Sequence, residues 1–175
     1  MRKNLILDIL QNANKPIKGG QLAEKVGVSR QIVVQDIAVM RAQGVGIIAT
    51  PQGYLLQQTH QNQPQKILAC CHTTIQEMAD ELETVVYYGG KVINVIVEHP
   101  VYGEIQGNIA AANLADVQAF MEKIQEQDAV PLAALTNGIH LHTVEAPDWE
   151  ILEAIEHRLL EKGYIVTQDN DIDKS

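Results

Sequence analysis

Nowhere does the 175-residue sequence stay apolar for about 18 residues, so no membrane-spanning helix is expected. Met1-Arg2-Lys3-Asn4 runs into a short apolar stretch interrupted by Asp8, which does not fit a secretory signal. Cysteine is scarce: the only two, Cys70 and Cys71, are neighbours in sequence and cannot staple a fold. A reducing cytoplasm is therefore the expected compartment. Internal repeats and long low-complexity tracts are missing as well. So is any overall excess of basic charge: the net charge of −9 would, taken alone, argue against a nucleic-acid partner. Hydrophobic residues make up 46% and charged residues 20%, an ordinary globular balance that excludes wholesale disorder. At about 100–200 residues per domain, the length suits one domain or two small ones.

The charge is unevenly spread. Residues 1–60 hold seven of the 13 basic side chains and three of the 22 acidic ones, a net +4, which leaves −13 for the remainder. Such a split suggests that one part meets a polyanion and the other does not. Between the two lies the polar run QQTHQNQPQ at 57–65, which reads as a linker. The expected domains are therefore 1–58 and 66–168, with a frayed polar tail from Asp169.

The first part has a helical pattern. Leu5, Ile6, Ile9, Leu10 and Ala13 recur at helical spacing, and that helix is expected to end before Asn14-Lys15-Pro16. A short helix follows from Gly20 to about Lys25, stopped at Gly27, and Ser29 is a fitting N-cap for a third helix running to about Gln43. Residues 20–37, GQLAEKVGVSRQIVVQDI, form a helix–turn–helix pattern with Leu22, Ala23, Val26, Val28, Val33 and Ile37 as its internal contacts. On the third helix Val33, Ile37 and Met40 point inward, whereas Gln31, Val34, Gln35, Ala38 and Arg41 form the opposite face. Amide side chains on that face can read adenine edges, and Val or Ala can touch thymine methyl groups. Ser29 and Arg30, at the helix start, suit phosphate or base contacts. The candidate DNA-binding residues are thus Ser29, Arg30, Gln31, Gln35 and Arg41. Residues 45–56, carrying Pro51-Gln52-Gly53, read as a hairpin and resemble the wing of a winged helix.

Two phosphate-loop look-alikes fail on context. Gly44-Val45-Gly46 followed by Ala49 fits a dinucleotide fingerprint, but a helix precedes it and a hairpin follows, the wrong order for a pyrophosphate at a helix N-terminus. Gly89-Gly90-Lys91-Val92 lacks both the earlier glycine and the hydroxyl residue of a P-loop.

After residue 65, strands and helices alternate. Strands are expected at 66–71, 91–98, 104–111, 139–145 and 164–167, and helices at 75–88, 114–127 and 148–162. That order predicts an α+β sandwich, with helices packed on one face of a mainly antiparallel sheet. Five of the six histidines lie here, and Ile139-His140-Leu141-His142 is the informative unit. Side chains alternate along a strand, so His140 and His142 share one face and can chelate one cation. A further ligand must come from a neighbouring element: His72 follows the first strand, and Glu77, Asp80, Glu81 and Glu83 follow on the next helix. Cys70 and Cys71, with apolar flanks, read as core thiols, and His157, among glutamates, reads as solvated surface.

Residues 97–104, VEHPVYGE, and 138–147, GIHLHTVEAP, closely resemble the three-histidine domain of niacin-responsive transcriptional repressors. In that family an N-terminal winged helix precedes the three-histidine domain, so the resemblance covers nearly the whole chain. It implies a homodimeric cytoplasmic repressor of NAD-biosynthesis or niacin-uptake genes that binds a double-stranded DNA operator, with nicotinic acid as co-repressor. It also implies one transition metal ion per chain (zinc, nickel or iron) held by His72, a helix carboxylate, His140 and His142. The family spacing from the first histidine points to Asp80. Alignment from Leu82 and the downstream His-Pro-Val-Tyr-Gly motif points to Glu81, which is preferred. His99 and Tyr102, within that motif, are candidate effector contacts, the competing reading being a structural turn around Pro100 and Gly103. Two other readings compete with the whole: a metal-sensing repressor without an organic effector, and a metal-dependent hydrolase fused to a binding module.

Overall fold

The computed structural model describes residues 2–57 and 63–167. The chain separates into two compact units, Met1–Gln61 and Asn62–Ser175. The centre of the expected linker, including His60, and the tail from Asp169 lie outside the described residues.

The first unit comprises α1 (Arg2–Gln11), α2 (Gly19–Val26), α3 (Arg30–Ala42) and the two-stranded antiparallel pair β1 (Ile47–Thr50) and β2 (Gly53–Leu56). The turn between α2 and α3 needs a left-handed residue, and Gly27 supplies it at φ +72°. The Gly27 and Val28 N–H groups then close onto the carbonyls of Glu24 and Ala23, satisfying the end of α2. The Ser29 hydroxyl accepts the Ile32 N–H at 3.4 Å and starts α3. Ile6 and Leu10 from α1, Leu22 and Ala23 from α2, Val33, Ile37 and Met40 from α3 and Ile47 from β1 bury one another. At the same spacing on α3, Asp36 is also buried, held by the Arg2 guanidinium at 2.5 Å.

The second unit runs β3 (Gln65–Cys71), α4 (Ile75–Tyr87), β4 (Lys91–His99), β5 (Gly103–Ala111), α5 (Leu114–Glu126), a 3-10 turn (Leu132–Thr136), β6 (Ile139–Glu145) and α6 (Trp149–Glu161). Its strands lie in the order β3–β6–β4–β5, and every pairing is antiparallel. The core forms where Leu82 and Val85 of α4, Val117 of α5 and Leu152, Ile155 and Leu159 of α6 meet the sheet, covering one face of it. The other face leaves Ile67 and Ile139 exposed. Two side-chain caps set the helices in register. Thr74 accepts from the Glu77 N–H while Glu77 accepts from the Thr74 N–H, and Asp148 accepts from the Ile151 N–H.

Three local expectations change. Gln65, assigned to the linker, opens β3 because it pairs with Glu145. Residues 164–167 form no extended strand; they make a single bridge, Ile165 to Cys70, at the outer edge of β3. The 3-10 turn at Leu132–Thr136 was not anticipated. It ends at Asn137 in the left-handed conformation and feeds directly into β6.

Candidate metal centre and DNA-reading face

His140 and His142 occupy alternate positions of β6, so both side chains point from the sheet towards the helices, next to Cys70 and Leu68 across the β3 pairing. His72 follows β3 directly, and α4 carries Glu81 over the same spot. All four are buried: Glu81 is 0% exposed, His140 2%, His142 4% and His72 9%. The three imidazole Nε2 atoms converge on one carboxylate oxygen, Glu81 Oε2, at 2.6 Å from His72, 3.2 Å from His140 and 3.4 Å from His142.

The other ring nitrogens decide the chemistry. His140 Nδ1 lies 2.8 Å from the Gly138 carbonyl oxygen, and His142 Nδ1 lies 2.7 Å from that of Asn94. A carbonyl only accepts, so both Nδ1 atoms carry hydrogen and donate. In the neutral ring each Nε2 then presents a lone pair, and that lone pair faces a carboxylate oxygen. Only a proton or a cation between them relieves such a meeting. Glu81 Oε1, meanwhile, is buried with no hydrogen-bond partner. Three converging imidazoles, two of them fixed by backbone carbonyls, and a carboxylate with an orphaned oxygen fit the donor set of a transition metal.

The electrostatics follow from burial. Desolvation pushes the Glu81 carboxyl up, but the His142 charge and the hydrogen bonds of His140, His142 and His72 outweigh it, holding Glu81 well below the usual carboxylate range. For His142, burial acts downward and the Glu81 charge and hydrogen bond act upward, leaving it raised. Burial, reinforced by the Glu81 charge, pushes the Cys70 thiol up, so it stays protonated. Its sulfur nonetheless lies within 4.8 Å of ligand atoms on Glu81 and His140.

Of the residues singled out from sequence, His72, Glu81, His140 and His142 come together here. Asp80, the alternative carboxylate, faces elsewhere. It accepts from Lys162 Nζ at 2.8 Å and from the Tyr164 hydroxyl at 2.7 Å, and the Lys162 contact, against a smaller effect of burial, holds its pKa low. His157 is exposed beside Glu161. His99 and Tyr102 sit at the turn between β4 and β5, where His99 Nδ1 accepts the N–H groups of Val101 and Tyr102. Tyr102 is 77% exposed, and neither residue lines the cavity next to the histidines.

Sequence reasoning passed over two contributors. Asn94 supplies the carbonyl for His142, and its side-chain oxygen accepts the Thr143 N–H at 3.0 Å. A register shift in β4 between Val92 and Asn94 allows this, and no residue type announces it. Gly138 supplies the carbonyl for His140. Its own φ is +93°, and a Cβ there would lie 2.3 Å from the His72 carbonyl oxygen, so only glycine lets the two histidine segments approach.

A cavity of about 200 Å³ adjoins the cluster. His72, His140 and His142 line one side of it, and the rest is lined mainly by apolar residues from α4, α5, β5 and the 3-10 turn, with Asn108 among them. That is smaller than the roughly 300–1,000 Å³ of drug-sized pockets and suits a molecule of one ring.

On the first unit, Arg30, Gln31, Gln35 and Arg41 are exposed along α3, with Ala38 exposed between them. Ser29 is exposed at the N-terminal end of the helix. Arg30 lies near Gly19 and Tyr54, so the start of α3 and the hairpin meet at one corner. The inward positions Val33, Ile37 and Met40 are buried as their spacing requires.

A helix–turn–helix domain family matches residues 2–55, and the 3H domain family matches residues 65–168. The chain is 42% identical over 167 residues to the probable transcription repressor NiaR of Thermotoga maritima, covering 95% of this chain and 94% of that protein. It is 39% identical over 169 residues to the transcription repressor NadR of Bacillus subtilis, covering 94% of this chain and 93% of that one. Both relatives are named as repressors rather than enzymes, which removes the hydrolase reading. No helix among the described residues is long and apolar enough to cross a membrane. With both of its domains matched and two repressors aligned along nearly its full length, the chain belongs to the transcription-repressor family that joins an N-terminal helix–turn–helix domain to a 3H domain.

Proposed function

We propose that this protein is a cytoplasmic, homodimeric repressor of NAD-biosynthesis or niacin-uptake genes. In this reading it binds a double-stranded operator through α3 and the hairpin, with nicotinic acid as co-repressor. One transition metal ion, whether zinc, nickel or iron, is held in the 3H domain by His72, Glu81, His140 and His142. The observation that carries the metal is the convergence of three Nε2 atoms on a single buried carboxylate oxygen while the Nδ1 atoms of His140 and His142 are committed to backbone carbonyls. When bound, the cation supplies positive charge at the wall of the cavity, where an acid of one ring can meet it. Support for nicotinic acid comes from the long motif resemblance and from the size and apolar lining of that cavity.

On DNA, α3 is the recognition helix. Ser29 and Arg30 contact the backbone or outer bases, Gln31 and Gln35 face base edges, and Arg41 closes the contact further along the helix. A dimer sets two such helices about 34 Å apart, in successive major grooves. Nicotinic acid strengthens repression only to the extent that it binds the DNA-competent arrangement more tightly than the other.

A gel-shift series on the promoter of an NAD-synthesis operon tests this, with and without nicotinic acid and with and without chelator. The expected result is a shift that nicotinic acid tightens and chelation reverses. Indifference to nicotinic acid together with dependence on metal favours the metal-sensing repressor instead. His140→Ala is expected to abolish the nicotinic acid response and keep basal DNA binding; equal loss of both points to misfolding.

A further inference from the structure

We propose that Cys70 is a fifth donor of the buried cluster, a sulfur ligand that makes this metal site prefer thiophilic cations over hard ones. The inference rests on the metal reading and goes beyond it, because that reading takes only nitrogen and oxygen donors from His72, Glu81, His140 and His142.

Strand register places the thiol. Cys70 pairs directly with His140 across β3 and β6, so the two side chains leave the sheet on the same face. That is the face the helices cover, and Cys70 is fully buried there. Its sulfur, a carboxylate oxygen of Glu81 and a ring nitrogen of His140 all lie within 4.8 Å of one another. Sulfur and nitrogen bound to one zinc-sized ion lie roughly 3.5 Å apart, so side-chain adjustment of about an ångström closes the triangle.

Glu81 gives a second, independent indication. Its Oε2 collects the three imidazoles, while its Oε1 is buried with no hydrogen-bond partner. An orphaned carboxylate oxygen in a core calls for a cation, and a donor set drawn only around Oε2 leaves that oxygen unexplained. Charge points the same way. A divalent cation with one carboxylate leaves a net positive charge in a buried place, and a thiolate cancels it. Coordination replaces the thiol S–H bond by a sulfur–metal bond, and the proton leaves to water. A soft sulfur donor favours cadmium, zinc or cobalt and adds little for manganese. Cys71 is the internal control: one residue further along β3, opposite Ile139, it points to the other face of the sheet.

Cobalt(II) added to the chelator-stripped full chain tests this, with cobalt content followed by elemental analysis. A sulfur-to-cobalt charge-transfer band in the near ultraviolet is expected, kept by Cys71→Ser and lost in Cys70→Ser. Cobalt bound without the band would overturn the sulfur ligand and leave the metal reading standing. No cobalt bound would overturn both. A band that survives Cys70→Ser would overturn the assignment to this residue. In competition titrations Cys70→Ser is expected to lose at least about tenfold in cadmium affinity and to bind manganese as the unmodified protein does. Equal losses for the two ions would overturn the preference. Should Cys70→Ser fail to fold, Cys70→Ala is read by the same criteria, and the spectra of the unmodified protein and Cys71→Ser need neither variant.

Discussion

The two domains treat charge in opposite ways. In the first, apolar side chains close on one another, and Asp36, the one buried charge among its described residues, is answered by Arg2, whose side chain is 46% exposed. Arg30, Gln31, Gln35 and Arg41, the residues proposed to face DNA, all stay in water. In the second, a carboxylate and three imidazoles are carried into the core beside Leu82 and Cys70. Desolvating these groups costs stability unless something pairs with them. On the proposed reading, the first domain presents a fixed surface, and occupancy of the site in the second would change that domain's stability.

The largest expected effect tests whether the domains are energetically separate. Leu22→Ala and Ile155→Ala each empty a fully buried position and are expected to cost about 2–5 kcal/mol. Each should appear in the unfolding of its own domain only. Trp149, the single tryptophan, stands at the start of α6 and reports the second transition by fluorescence. A fluorescence midpoint moved by Leu22→Ala would show the two to be coupled.

Next comes Glu81→Gln, which keeps the volume and removes the charge. Metal affinity is expected to fall at least about 100-fold, since a ligand should matter no less than the groups that orient it. Chelation should lower the thermal midpoint of the second domain in the unmodified protein and leave the variant unmoved. An equal chelator shift in both proteins would remove Glu81 from the site.

A smaller effect concerns only the first domain. Arg30→Ala should weaken operator binding and reduce the slope of log affinity against log salt by about 1, as expected for one lost phosphate contact. An unchanged slope would take Arg30 off the DNA backbone.

The smallest is the acid limb of the first domain. The Arg2 hydrogen bond, opposed by a lesser effect of burial, holds the Asp36 carboxyl below its ordinary value. A depressed carboxyl contributes its full stabilisation above the unfolded value of about 3.9 and loses it as pH falls through the lower folded value. Asp36→Asn should therefore show its whole small loss at neutrality and flatten the pH dependence of first-domain stability below about pH 4, where the two proteins converge. A pH profile superimposable on that of the unmodified protein would show that Arg2 contributes nothing there.

The sequence was most readable where one local rule acts alone. Ser29, Gly27 and the inward spacing of Val33, Ile37 and Met40 define the helix–turn–helix, because caps, turns and helical periodicity are set within a few residues. The alternation of His140 and His142 likewise follows from strand geometry alone. What could not be read depends on distant partners. Asp36 sits at a spacing that fits the buried face, but only Arg2, 34 residues earlier, explains it. Tyr164-Ile165-Val166 has the composition of a strand, yet only the exposed edge of β3 is there to receive it, so the pairing stops at one bridge. The choice between Asp80 and Glu81 depends on the phase of α4, which Thr74 and Glu77 set at its start and Lys162 and Tyr164 complete by engaging Asp80. Asn94 gave no signal, because its contribution to the site begins with a backbone oxygen.

The strand order has a consequence in time. β6 is the last strand of the sheet to leave the ribosome, yet it lies between β3 and β4, so until it arrives those two have no common neighbour. The helix–turn–helix and its hairpin are complete by Leu56, whereas two of the three site histidines enter only with β6. Because domains fold as units, N-terminal first, the helix–turn–helix domain exists on each nascent chain before the 3H domain does. Closing the sheet is the event that brings the late histidines beside His72 and Glu81, and α6 then completes the core over them.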